Sequence, residues 1–184
     1  MKTRKSNLNS PQGDYERIIR PNEERMMRLA WRITQNVDDA SDAFQEAATQ
    51  IWRRLARIRA HPNPQALVLR MCANAACDVV RRKTRWNQRV KSLAVTASEG
   101  IPAGTASELP LEQREQVQAA VARLPEQQAT AISMRFLLQC PYQEIAQALG
   151  CAETTARVHV NRGLNRLRIL LAHLNPTITP ENES

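Results

Sequence analysis

Arg157, His159, Asn161, Arg162, Asn165, Arg166 and Arg168 crowd one short stretch near the C-terminal end of the chain. At this spacing they offer hydrogen bonds and positive charge rather than bond-making chemistry, which suits phosphate oxygens and base edges. The apolar residues of the same stretch, Ala156, Val160, Leu164, Leu167, Leu171 and Leu174, recur at steps of three and four. A helix would therefore bury one face and leave the polar set outside. Just upstream, Ile145, Ala148 and Leu149 give a short helix an apolar side, and Gly150 is the residue most easily placed in the left-handed turn that ends it. Residues Pro141 to Arg168 read as a helix-turn-helix. An ordinary amphipathic pair with a solvated basic face has the same pattern, so the rest of the chain must decide.

A second basic set lies between Arg53 and Lys91, where Arg53, Arg54, Arg57, Arg59, Arg70, Arg81, Arg82, Lys83, Arg85, Arg89 and Lys91 are opposed by the single acid Asp78. Over 184 residues, 26 Lys and Arg against 18 Asp and Glu give a net charge of +8, with a pI near 10.0. That balance favours a polyanion such as nucleic acid over acidic small molecules. The four cysteines, Cys72, Cys77, Cys140 and Cys151, form no CxxC pair and have no His at zinc-finger spacing, so they read as reduced, mostly buried thiols with no metal site. No His, Cys, Ser and carboxylate set has recognisable catalytic spacing, which makes an enzyme the least supported class. No apolar run approaches a membrane span, and MKTRKSNLNSPQGD lacks the hydrophobic segment of a signal peptide, so the expected compartment is the cytoplasm.

The elements that must position these residues are all helical. Residues 1 to about 13 read as a polar, mobile tail. Ile18, Ile19, Met26, Met27, Ala30, Ile33 and Val37 fit one or two helices broken near Pro21. Asp38, Asp39 and Ser41 offer N-caps to the next helix, where Phe44, Ala47, Ala48, Ile51, Trp52, Leu55 and Ile58 form a stripe and Asp42, Gln45 and Glu46 lie outside it. His61 to Pro64, sequence HPNP, is a stiff loop that cannot continue a helix. A helix from Gln65 to about Lys83 follows, in which Asn74 and Asp78 interrupt the apolar pattern and suggest an internal hydrogen-bond network. Ser92 to Pro110 is rich in small residues, Gly and Pro and reads as a linker. Val117, Val121 and Leu124 then mark a helix ending at Pro125, and Ala129, Ile132, Phe136 and Leu137 mark the inner face of another from Glu126 to about Leu138. The expectation is an all-α chain of two small helical domains, 14–90 and 113–175, with a flexible linker over 91–112 and a tail over 176–184.

In this order the motifs resemble those of the extracytoplasmic-function sigma factors, small bacterial sigma factors that keep the second and fourth conserved regions of the larger class. DDASDAFQEAATQIWRR is similar to the region 2 docking pattern at Asp39, Ala40, Asp42, Gln45 and Glu46. The next helix matches at Arg70, Asn74, Asp78, Arg81 and Arg82, and the region 4 segment matches at Leu124, Pro125, Glu144, Ile145, Ala146, Leu149, Gly150, Glu153, Thr155, Arg157, Arg162 and Leu167. The resemblance implies a protein that does no covalent chemistry but directs RNA polymerase to promoters. Asp39, Asp42, Gln45 and Glu46 would dock on the clamp helices of the polymerase's largest subunit. His61, Asn63 and Gln65 would form the pocket for a base extruded from the minus-ten element, with Asn63 hydrogen-bonding it, while Arg70, Asn74, Arg81, Arg82, Lys83 and Arg85 support the strand. Thr154, Thr155, Arg157, Val158, His159, Asn161, Arg162 and Arg166 would meet the minus-thirty-five element.

The implied partners are the polymerase core through its β and β′ subunits, promoter DNA and an anti-sigma factor, with no cofactor, metal, small-molecule substrate or membrane insertion. The linker would thread the polymerase cleft toward the RNA exit path, and Trp86 is open to base stacking or to packing. Departures from the family are Leu67 for the usual Trp, Ala43-Phe44 for Leu-Val in the docking motif, Ala152 for the capping Ser, and Gly163-Leu164 for Ala-Arg. An alanine cap forfeits roughly 1 kcal/mol unless Glu153 or Thr154 substitutes. Two other classes compete. A free-standing helix-turn-helix regulator leaves the Asp42, Gln45 and Glu46 face and the HPNP loop without a purpose, and a sigma mimic that only sequesters an anti-sigma factor does not need the basic stripe.

Overall fold

The computed structural model describes residues 11–93 and 110–174. Of the expected tail over 1–13, linker over 91–112 and tail over 176–184, residues 1–10, 94–109 and 176–184 lie outside the described residues, whereas 11–13 open α1, 91–93 close α5 and 111–112 open α6, so these three stretches are helical and not tail or linker. Within them the chain runs α1 (Pro11–Ile18), a 3-10 turn at Arg20–Asn22, α2 (Glu23–Thr34), α3 (Val37–Arg53), α4 (Leu55–Arg59), α5 (Pro64–Leu93), α6 (Leu111–Ala122), α7 (Glu126–Ile132), α8 (Tyr142–Leu149), α9 (Glu153–Leu170) and a closing 3-10 turn. No strand occurs among the described residues.

The break near Pro21 is where the periodicity placed it. Buried Asn22 donates to the Ile18 carbonyl at 2.8 Å, so the chain bends without leaving that amide unpaired. The expected caps of α3, Asp38, Asp39 and Ser41, lie two to five residues too late: Asn36 is the cap, its side chain accepting from Asp39 N–H at 2.9 Å. Asp38 and Asp39 instead sit in the first turn, where their charge favours the helix dipole. Asn63 plays the same capping part for α5, its Oδ1 accepting from Ala66 N–H at 2.9 Å with Pro64 opening the helix. α5 then runs ten residues past the expected end at Lys83, because nothing from Thr84 to Leu93 is Gly or Pro.

α5 is the spine. It packs most extensively against α2 and α3 and, less so, against α6, α7 and α8. Consequently the two groups of helices do not bury separate cores. Ile33, Cys77 and Val80 share one apolar cluster with Ala122, Leu124, Ala129 and Ile132, and Ala66 of α5 enters the cluster of Met134, Ile145, Leu149 and Val160. Burial pushes the thiols of Cys72 up to about 12 and of Cys77 and Cys140 up to about 11, so all three stay protonated at neutral pH.

Five apolar residues expected inside are out. Val37, Trp52 and Phe136 are 72%, 51% and 52% exposed, and Met27 and Leu164 are 38% and 37% exposed. Val37 opens its helix from the solvent side, and Trp52 lies edge-on to the ring of Tyr15, centroids 6.2 Å apart. Phe136 is turned outward because α7 does not continue as a regular helix: residues Ser133–Leu137 form a wider π-turn that rotates the pattern. Leu164 is displaced because the buried seam of α9 runs through Ala156, Val160 and Gly163, with Leu167 partly buried beyond. Gly163 sits on that seam, and a Cβ there would stand 2.5 Å from Ile132 Cδ1 and 3.1 Å from Cγ1, so a larger residue requires the Ile132 side chain to move. Gly163→Val is expected to lower the urea midpoint by an amount equivalent to about 1–3 kcal/mol of overpacking, despite valine's better helix propensity. An unchanged midpoint would show that α7 and α9 do not meet this closely.

Candidate nucleic-acid interface

The helix-turn-helix forms as its sequence requires. Gly150 ends α8 in the left-handed region at φ 68°, and α9 starts three residues later with Ala152 extended. No side chain caps α9: Glu153 turns away to Arg157, Oε1 to Nη2 2.6 Å, so neither it nor Thr154 replaces the missing serine. Thr154, Thr155, Arg157, Val158, Asn161, Arg162 and Arg166 are all exposed on one free face. His159 is the exception among the expected contacts. It is only partly exposed, and its Nδ1 is buried without a hydrogen-bond partner among the described residues. Val160, by contrast, belongs to the core.

Two cations clasp one ring here. The guanidinium of Arg157 lies 4.2 Å from the centre of the Tyr142 ring and that of Arg135 lies 4.8 Å from it. Tyr142 opens α8, so this contact ties the first helix of the motif to the outer face of the second. Glu153 pairs with Arg157 from its other side, at 2.6 Å and in the open.

The residues expected to bind the minus-ten strand are placed differently. Asn63 donates through Nδ2 to Gln147 Oε1 on α8 at 2.7 Å while its Oδ1 caps α5, so both ends of its amide are engaged. Its backbone N–H donates to His61 Nδ1 at 3.1 Å, which keeps the loop stiff. Arg70 donates to the Ala148 carbonyl at 3.0 Å. Asn74 Nδ2 reaches Glu126 Oε1 at 2.5 Å, and the Thr130 hydroxyl lies 2.5 Å from Asn74 Oδ1. Arg81 donates through Nε to the Ala122 carbonyl at 2.7 Å, through Nη2 to that of Leu124 at 3.1 Å, and through Nη1 to Asp78 at 2.7 Å. The polar network anticipated around Asn74 and Asp78 exists, but it crosses between the two groups of helices. Gln65, Arg82, Lys83 and Arg85 remain exposed.

The acidic face on α3 and the exposed end of α5 lie together. Asp39 pairs with Lys83 at 2.6 Å and Glu46 with Arg82 at 2.9 Å, while Asp42 and Gln45 are exposed beside them. Such solvated pairs hold a residue loosely, for roughly 0–1 kcal/mol each. Arg17 and Arg59 were not anticipated as site residues. With Ile18, Pro62, Asn63, Pro64 and Gln65 they line an open cavity of about 460 Å³ beside the HPNP loop. Arg17 comes from α1 and Arg59 from α4, so no local spacing could have joined them. Among the described residues no group of His, Cys, Asp and Glu converges as a metal site would require, and no helix is long and apolar enough to cross a membrane.

Comparison with known proteins matches residues 18–86 to the sigma-70 region 2 family and residues 108–167 to the sigma-70 region 4 family. The chain is 28% identical over 164 residues to the ECF RNA polymerase sigma factor SigE of Mycolicibacterium smegmatis, a match taking in 86% of this chain and 62% of that relative. It is 26% identical over 162 residues to SigM of Mycobacterium tuberculosis, covering 88% of this chain and 79% of the relative. The chain thus spans less than two thirds of the length of SigE. Among solved structures, the sigma factor RpoE of Bartonella quintana, crystallised with the anti-sigma factor NepR, shares the fold with a TM-score of 0.51 at 23% identity, over 86% of this chain and 96% of that one.

The Tyr142 clasp yields a direct test in anisotropy titrations with a 24-base-pair mixed-sequence duplex. Tyr142→Leu frees Arg157 and is expected to weaken binding about two- to fivefold, the size of an exposed cation–π contact, whereas Tyr142→Phe keeps the ring and the affinity. Equal losses in the two variants would remove the stacking role.

Proposed function

The chain belongs to the extracytoplasmic-function sigma factors of the sigma-70 family, and we propose that it directs bacterial RNA polymerase core to promoters by gripping them at two places. The supporting observation is the pairing, on one chain, of a region 2 segment with an acidic face on α3 and a region 4 segment whose α9 presents an exposed polar and basic face. No bond is made or broken by the protein itself. It supplies recognition energy that polymerase lacks.

α9 enters the major groove of the minus-thirty-five element. Arg157 and Arg162 are long, charged donors suited to phosphate or guanine, Asn161 to adenine edges, and Thr154 and Thr155 to backbone near the helix start. His159 is a weaker contributor than its neighbours, since one side of its ring is buried. On region 2, the α3 face of Asp39, Asp42, Gln45 and Glu46 docks on the polymerase clamp, and α5 with the HPNP loop takes the non-template strand of the minus-ten element. Flipping a base from the duplex costs on the order of a few kcal/mol, and a loop already fixed by two prolines and the His61 contact adds little ordering cost to that. The open cavity bounded by Arg17, Arg59 and the loop is the recess into which such a base fits. The segment between α5 and α6 spans the polymerase between the two grips. By the same likeness an anti-sigma factor is a partner, as NepR is of the Bartonella protein, and the site of action is the cytoplasm.

The deciding experiment is multi-round transcription from fragmented genomic DNA with core polymerase, with and without this protein, mapping RNA 5′ ends. Discrete start sites that depend on the added protein are expected. Asp42→Arg with Glu46→Arg should lower core affinity at least tenfold and abolish those starts while leaving duplex binding by α9 intact. If the protein binds duplex sites alone and core adds no initiation, it is a free-standing regulator instead.

A further inference from the structure

Between α2, α5, α6 and the π-turn after α7 lies a cavity of about 100 Å³ that neither promoter grip uses. Ile33, Val80, Val121, Ile132 and Phe136 make its wall apolar, and the only formal charge among its lining residues is that of Arg32. Cys77 also lines it, as a protonated thiol, so no negative charge faces the space.

Three polar groups interrupt this wall, and all three can donate. Gln118 Nε2 and Ser133 Oγ are buried with no hydrogen-bond partner among the described residues. The Cys77 thiol beside the Ser133 hydroxyl is only a weak acceptor. Arg32 is exposed and donates through Nη1 to the Leu137 carbonyl, which holds its guanidinium at the cavity. A buried donor left unpaired costs stability that an apolar side chain of the same shape would not. The two orphans are therefore placed for an acceptor from outside the chain. Single π-turns are frequent at functional sites, and this one contributes Ser133, Phe136 and Leu137 to the cavity.

We propose that the cavity binds a small organic acid, a single ring or short branched chain that lies among the apolar side chains while its carboxylate accepts from Gln118, Ser133 and Arg32. The size is of the right order, since a dry cavity of about 150 Å³ lined by Leu, Ile and Phe takes up benzene. Here the exposed Arg32 and Phe136 leave one side open, so a ring bearing a short polar group is accommodated. Water can meet the donors but leaves the apolar wall hydrated, whereas an amphipathic acid covers both. An occupant that binds the folded chain and not the unfolded one raises its stability by mass action.

The probe is benzoate. It is compared with benzyl alcohol, which has the ring without the charge, and with acetate, which has the charge without the ring, all at one ionic strength. Binding to the full chain is read by titration calorimetry and by the thermal midpoint. Benzoate is expected to bind with a dissociation constant on the order of 1 mM, and the other two about tenfold more weakly. Gln118→Leu should raise the midpoint of the unliganded protein, because an orphan donor is gone, and should weaken benzoate about tenfold. Arg32→Gln should weaken it similarly, while Arg28→Gln, at an exposed arginine of the same helix that does not line the cavity, should change nothing. Val117→Phe fills the space and should remove benzoate binding.

Acetate bound as tightly as benzoate, or equal losses in Arg32→Gln and Arg28→Gln, would mean that benzoate meets only the general positive charge, and overturns the site. Benzyl alcohol bound as tightly as benzoate overturns the assignment of an acid. If Val117→Phe does not fold, Gln118→Leu decides alone: unchanged benzoate affinity in that variant overturns the proposal.

Discussion

Carbonyl groups at the C-terminal ends of the region 4 helices are the constraint on which the arrangement turns. An α-helix ends with four carbonyls that have no partner within it, and burial makes each one costly to leave unpaired. In this protein arginines of the other domain supply the partners. Arg81 serves Ala122 and Leu124 at the end of α6, Arg70 serves Ala148 near the end of α8, and Arg32 serves Leu137 at the end of the π-turn. A guanidinium suits this because it delivers several donors from one rigid fork and carries charge that complements the negative end of the helix dipole. The same fork suits phosphate equally well. Packing against region 4 and the proposed strand binding would therefore compete for one set of donors.

That competition explains what could and could not be read from the residues alone. The recognition helix was legible because its evidence is local: apolar positions at steps of three and four, Gly150 at the turn, polar residues off the stripe. So was the loop at His61 to Pro64, whose prolines forbid a helix. The packing against region 4 was not legible, because its acceptors are backbone carbonyls, which every residue owns and which leave no mark in composition. Arg70 and Arg81 look the same in sequence whether they face a phosphate or a helix end. The polar pair Asn74 and Asp78 did signal a network, but not that Glu126 and Thr130 complete it from another domain. Arg17 and Arg59 escaped for a related reason, since only the packing of α1 and α4 beside the loop brings them together. Misplaced inward residues have local physical causes: a π-turn rotates Phe136 outward, and Gly163 takes the seam position that strict periodicity shares with Leu164.

Region 4 also shows how a departure from a family pattern is absorbed. Ala152 leaves α9 without a side-chain cap, a loss of roughly 1 kcal/mol. Gly163 lowers helix propensity further, by about as much again relative to alanine. Two contacts act against these losses. The close crossing of α7 and α9 that Gly163 allows brings Ile132 and Gln128 against the helix backbone, and the Arg135, Tyr142 and Arg157 cluster binds its first turns to α8. Stability that the helix lacks as an isolated element is returned as contact with its neighbours, so its orientation depends on the helices beneath it.

Those same helices are the ones held by α5, which joins the two groups of helices. Were region 2 to give up Ala122, Leu124 and Ala148 as acceptors, water would replace both partners of each bond, and Arg81 would keep its pairing with Asp78 on the same helix. Apolar area has no such substitute. Leu124, Ala129 and Ile132 lose their cover when the domains part, at about 25 cal/mol for each Å² uncovered, and strand phosphates cannot replace it. An apolar partner surface must, and polymerase is the one component of the proposed complex large enough to offer one.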